Sequence, residues 1–166
     1  MTKRFTRPVC ALLALALSVG IAGCKADNQD KLTVLLNGKS VPNPATVGTL
    51  GEDYSFDYPA LYYKGDVSAG VIFDDKSEED DELKKEIKWL TASQDFTSDG
   101  ALSVNGITLG SEQSEVLKAF GEPQGREDDI NMWAYREDGQ PEDESYLGIS
   151  FDENDKVSWI GVWINR

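Results

Sequence analysis

The stretch YLGISFDENDKVSWIGVWI, residues 146–164, decides the fold. Leu147, Ile149 and Phe151 alternate with small or polar residues. Ile160, Val162 and Ile164 then alternate against Trp159 and Trp163. A period of two is the mark of a strand with one apolar face. DENDK, 152–156, supplies the tight connection of an antiparallel hairpin. A third strand-like run precedes it at 130–136, carrying Trp133 and Tyr135. Upstream the period changes. Val116, Leu117 and Phe120 form the apolar face of a short helix. Ser111 is its expected N-cap, and Glu112 and Glu115 lie in a first turn that favours negative charge. Gly121 suits a left-handed C-terminal cap, and Pro123 cannot continue a helix. Residues 101–104 read as a strand ending in the turn signal Asn105-Gly106, and 124–129 as a polar connection. One helix laid on an antiparallel meander is an α+β layer arrangement.

The first half is harder to read. Residues 32–36 form a strand candidate ending in another Asn-Gly turn, Asn37-Gly38. Residues 45–50 are a short helix candidate weakened by Gly48. Segments 54–63 and 67–73 read as paired strands around Lys64-Gly65-Asp66. Residues 80–92 have two readings. Leu83, Ile87 and Leu90 have helical spacing, whereas alignment with the second half makes 87–91 a strand. That alignment sets Leu36-Asn37-Gly38 on Val104-Asn105-Gly106, Gly70–Asp75 on Gly148–Glu153, and Ile87-Lys88-Trp89-Leu90 on Val157-Ser158-Trp159-Ile160. The order is kept while the offset drifts, as loop insertions cause. The chain is therefore expected to hold two degenerate tandem repeats, 32–95 and 101–166. Chance matching of short apolar motifs is the competing explanation.

Residues 1–23 read as a lipoprotein signal peptide. Lys3, Arg4 and Arg7 precede an uncharged apolar run from Val9 to Ala22, which fits a secretory leader and is short for a membrane span. It ends in Ile21-Ala22-Gly23-Cys24, which resembles the bacterial lipobox. Cys24 is then the lipidation site and 24–31 a polar tether. The only other cysteine, Cys10, would leave with the leader, so no disulfide is expected. The expected localisation is extracytoplasmic and lipid-anchored to the cell membrane, the outer membrane in a diderm host.

An ordered set of short motifs in the second half carries a family resemblance. Gly106-Ile107-Thr108-Leu109-Gly110-Ser111 is followed by Glu115-Val116-Leu117, Phe120-Gly121-Glu122-Pro123, Trp133-x-Tyr135, Leu147-x-Ile149-x-Phe151-Asp152 and Lys156-Val157. Over about residues 104–164 this is similar to the SmpA/OmlA/BamE-like lipoprotein domain. A tandem form of that fold resembles the β-lactamase-inhibitor-protein (BLIP) type, whose concave sheet receives a target. The resemblance implies a protein-binding or scaffold module rather than an enzyme. It also raises two alternatives, an inhibitor of a secreted or envelope enzyme and a surface lipoprotein binding a small ligand or Ca²⁺.

Composition narrows the function further. The chain of 166 residues has 30 acidic against 16 basic side chains, a net charge of −14, which argues against nucleic acid as a partner. It has no histidine, which removes Ser-His-Asp and Cys-His catalysis and most zinc sites. The acidic run at 74–82 has oxygen ligands but neither the spacing nor the glycine of an EF-hand loop, so it reads as a solvated loop. No cofactor and no metal site is expected. The residues expected to carry function are aromatic. Trp133, Tyr135, Trp159 and Trp163 are the candidate partner-binding set, because Trp and Tyr are favoured interface anchors. If Ile160, Val162 and Ile164 face the helix, Trp159 and Trp163 share the opposite face with Val157 and Gly161, with Gly161 a shallow dip between two indoles. The competing reading makes the two tryptophans a core pair.

Overall fold

The computed structural model describes residues 32–74, 81–136 and 144–164. Within these, the side chains at 134–136 and 144–146 are not described. Most of the described chain lies in an antiparallel sheet of eight strands. Four come from the first half: β3 (Tyr54–Asp57), β4 (Ala60–Tyr63), β5 (Asp66–Phe73) and β6 (Ile87–Ser93). Four come from the second: β8 (Gly125–Glu127), β9 (Ile130–Arg136), β10 (Glu144–Phe151) and β11 (Val157–Trp163). Their order across the sheet is β3-β4-β5-β6-β11-β10-β9-β8. Each half is thus a meander, and the two meet where β6 pairs antiparallel with β11, Thr91 opposite Gly161.

The remaining elements cover one side of this sheet. β1 (Val34–Leu36) pairs with β2 (Lys39–Ser40) and with β7 (Leu102–Val104), making a three-stranded sheet. The short helices α1 (Val47–Leu50) and α2 (Gln113–Phe120) follow β2 and β7. Leu36, Val47, Leu102, Val104, Val116 and Phe120 are buried from this layer. From the large sheet they meet a row of facing residues, Val71, Leu90, Val162, Leu147 and Trp133, each opposite the next across neighbouring strands and each buried. Side chains of both halves therefore share one core. Each such aliphatic residue contributes about 1.5–3 kcal/mol of burial. The architecture is α+β.

The caps explain the helix limits. Gly121, at φ 75° and ψ −163°, donates its N–H to the Leu117 carbonyl at 2.9 Å and ends α2 in an extended positive-φ conformation open to glycine, rather than in the expected left-handed helical cap. Its N-cap is Glu112 rather than Ser111. The Glu115 carboxylate accepts the Glu112 N–H at 3.0 Å, while the Ser111 hydroxyl accepts from Thr108 N–H at 3.1 Å and closes the preceding turn.

Three readings of the strands need correction or resolution. Segment 54–63 is two strands with a turn at Tyr58-Pro59. Residues 124–129 are not all connection, since β8 lies within them, its three side chains exposed and without apolar alternation. The ambiguous segment resolves to the strand β6. Its helix-like spacing has a physical origin. An irregularity between Ile72 and Phe73 sets Phe73 opposite Ile87 and Ile72 opposite Trp89, so Ile87 and Leu90, three apart, are both buried. β11 repeats this: Val157 lies opposite Phe151 and Trp159 opposite Ser150, so Val157 and Ile160 are both buried. Val157 therefore belongs to the core and does not share the face of Trp159 and Trp163.

The hairpin at 152–156 is built by Asp152. Its carboxylate accepts N–H groups from Asn154 at 2.8 Å and Lys156 at 3.0 Å. Those two bonds, Lys156 first, hold the Asp152 carboxyl below the usual aspartate range.

Candidate functional site

The other side of the eight-stranded sheet has no layer of described residues upon it. One row runs across the whole of this face: Asp57, Ala60, Gly70, Thr91, Gly161, Gly148, Met132 and Gly125, each opposite the next. Most of its central members are small. A β-carbon on Gly161 would lie 2.6 Å from a ring carbon of Trp89, and closer still to the ring of Trp159. One on Gly148 would lie 3.0 Å from Trp159 and 2.9 Å from Ile130. The indoles of Trp89 and Trp159 thus lie down on glycine backbone. The expected dip at Gly161 is filled, and Gly161 itself is buried beneath the rings.

Strand parity places Ile72, Trp89 and Trp163 along one side of the glycine row, and Trp159 and Ile130 along the other. Trp89 and Trp163 meet edge to face, centroids 5.9 Å apart at 78°. Phe96, from the turn after β6, reaches over Gly70. Ile72 is 56 % exposed and Phe96 44 %. The tryptophans are half-buried because the sheet carries their inner faces. At the end of the patch the Lys88 ammonium pairs with Asp74 at 2.6 Å and lies 5.9 Å over the Trp163 ring.

The structure separates the four aromatics expected to act together. Trp159 and Trp163 lie on the open face. Trp133 does not: it is 2 % exposed, on the helix side of β9 opposite Leu147. Its ring packs on Phe120, centroids 6.0 Å apart, and its indole N–H donates to the Gly121 carbonyl at 3.2 Å. That bond is what allows an indole to be buried. Trp133 holds α2 to the sheet and is withdrawn as a partner contact. Tyr135 lies on β9 opposite Ser145, its side chain outside the described residues. Cys24 and the whole leader and tether, 1–31, also lie outside them.

Sequence reasoning left Trp89, Ile72, Ile130 and Met132 out of the set. The signal for Trp89 was present, since the repeat alignment sets it on Trp159. Lys64-Gly65-Asp66 lies at a tight hairpin turn, with Lys64 and Gly65 at φ 53° and 98° and the Lys64 ammonium 5.1 Å over Tyr63. Among the described residues no group of three or more Asp, Glu or Cys is placed to hold a metal ion. No helix among them is long and apolar enough to cross a membrane.

Fold and face define the class: an α+β protein with one broad antiparallel sheet, covered on one side and aromatic on the other. No protein-family model matches the chain, and neither a curated protein sequence nor a solved structure matches it.

Proposed function

We propose that this chain is a lipid-anchored bacterial envelope lipoprotein that acts as a non-enzymatic binding module, receiving a protein partner on the open face of its sheet. The observation that carries the reading is the apolar surface of Trp89, Trp159, Trp163, Ile72, Ile130 and Met132, of which Ile72 is exposed and the others are half-buried, with no described helix or second sheet laid over them. Contiguous patches of this kind mark interaction sites in soluble domains. The lipobox-like Ile21-Ala22-Gly23-Cys24 supports the anchor, and the absence of histidine supports a non-enzymatic role.

The SmpA/OmlA/BamE-like and BLIP-like reading, with tandem repeats, belongs to the same proposal. Its support is the correspondence between halves. Strand, Asn-Gly turn, short helix and four-stranded meander occur twice in that order. Asn37 N–H donates to the Ala101 carbonyl and Asn105 N–H to the Thr33 carbonyl, a reciprocal pair at the β1–β7 junction. Thr46 bridges Glu86 as Glu112 bridges Lys156. The strand irregularities fall at Ile72/Phe73 and Ser150/Phe151.

The test has two arms. Radiolabelled palmitate should enter the wild-type protein in a bacterial host and fail to enter Cys24→Ser. An affinity capture from envelope extract should recover a partner with the wild type and lose it with Trp159→Ala/Trp163→Ala, both proteins keeping the same far-ultraviolet circular dichroism. Label in Cys24→Ser sinks the anchor. Capture that ignores the two tryptophans sinks the binding face.

A further inference from the structure

The charges around the open face point to the chemistry of its occupant. Asp57 stands at one end of the glycine row, on the edge strand β3. Glu127 stands on the other edge strand, β8, two residues along from Gly125 in that row and opposite Ile130. Both are exposed, and neither is paired with a cation among the described residues. Arg126, Lys156 and Lys88 are each engaged by other groups. Arg126 alternates to the other side of β8, its guanidinium turned to the Asp128 carbonyl at 2.9 Å and Asp129 at 3.4 Å. Lys156 pairs with Glu112 beside α2 at 3.4 Å. Lys88, which does border the patch, is held by Asp74. The face is therefore aromatic at its centre, acidic at both edges, and part of a chain of net charge −14.

Such a face discriminates by sign. A partner carrying Lys or Arg beside apolar side chains gains cation–π contact with the indoles, attraction from Asp57 and Glu127, and faster encounter in the chain's negative field. An acidic partner meets repulsion on each count. Resting on the open-face reading above, we propose that the occupant is a cationic protein segment, with Lys or Arg interleaved with apolar residues. Eight strands span about 34 Å at 4.8 Å between neighbours, so an extended segment of about 11 residues crosses the face from Asp57 to Glu127.

Three synthetic 11-residue peptides test this, each alternating Leu with a second residue: Lys, Gln or Glu. Binding to the full chain is followed by tryptophan fluorescence at low and high salt. The Lys peptide should bind at least about tenfold tighter than the Gln peptide, and the Glu peptide weakest. Raised salt should weaken it, as should Asp57→Asn/Glu127→Gln and, separately, Trp159→Phe/Trp163→Phe. Both double variants should unfold in urea close to the wild type. Equal binding of the Gln or Glu peptide, still dependent on the tryptophans, overturns the cationic partner and leaves the open face standing. Lys-peptide binding indifferent to both double variants is attraction to an acidic surface in general and overturns the proposal. Binding of no peptide in a tryptophan-dependent way removes both the proposal and the face it rests on.

Discussion

Gly161 has no room for a methyl group. The indoles of Trp159 and Trp89 occupy the volume a β-carbon would need. Gly161→Ala must lift the rings off the sheet or shift the backbone, which costs about 1–3 kcal/mol as overpacking. Urea unfolding should show that loss, and near-ultraviolet circular dichroism should show the altered indole environment. An unchanged midpoint and spectrum would mean the rings do not rest there. The tryptophans themselves should divide sharply. Trp133 is enclosed, packed on Phe120 and hydrogen-bonded to Gly121, so Trp133→Ala should cost about 3–5 kcal/mol. Trp163 buries only part of its surface, so Trp163→Ala should cost well under half of that. Comparable costs for the two would place Trp163 in the core and remove it from the open face.

At the scale of elements, the hairpin between β10 and β11 depends on an ionised side chain. Asp152 accepts two backbone N–H groups, and its carboxyl is held below the usual value of 3.8. A depressed carboxyl contributes stability above its unfolded pKa and loses it as pH falls through the folded one. The stability gap between wild type and Asp152→Asn should therefore be full near neutral pH. It should close only as the pH drops below about 3.8, and urea midpoints across that range would show it. A gap that persists at the acid end would assign the effect to shape rather than charge. This hairpin was legible in the sequence because its turn chemistry is local: DENDK sits between two alternating runs. The Asn-Gly turns were legible for the same reason, and Asn37, Gly38, Asn105 and Gly106 all have positive φ. β8 was not legible, because Gly125, Arg126 and Glu127 are all exposed on an edge strand and leave no apolar period. β6 was ambiguous because its strand irregularity buries Ile87 and Leu90 three residues apart, the spacing of a helix. Of the candidate site, strand parity in β11 identified Trp159 and Trp163 as a pair opposed to Ile160 and Val162. Parity in β9 depends on its pairing with β10, Trp133 opposite Leu147, a non-local fact that no window around Trp133 contains.

For the whole molecule, the decisive feature is how the halves join. β6 and β11 pair with Thr91 opposite Gly161, Trp89 opposite Trp163 and Ser93 opposite Trp159. Offsets of 70 within the repeat alignment carry Trp89 onto Trp159, Thr91 onto Gly161 and Ser93 onto Trp163. The register is therefore unchanged when the two strands exchange roles, as at a two-fold axis. The β1–β7 pair behaves likewise, with Leu35 opposite Ser103 and its neighbours exchanging about them. If the halves descend from one unit, that unit paired with itself through its last strand. A fragment of residues 101–166 would expose β11 as a bare edge carrying Ile160 and Val162, and β7 would lose β1. Pairing of β11 with β11 of a second copy, Gly161 opposite Gly161, covers that edge and sets Ile160 against Val162 on the core side. The fragment should therefore sediment as a dimer whose thermal stability rises with concentration, because association and folding are linked. Ile164→Pro should weaken the dimer, since the Ile164 N–H donates to the Lys88 carbonyl across the β6–β11 junction, on the edge a second copy would occupy, and proline removes that ladder donor. A folded, concentration-independent monomer would show that the second half is sufficient alone, and that its register with β6 records no self-pairing ancestor.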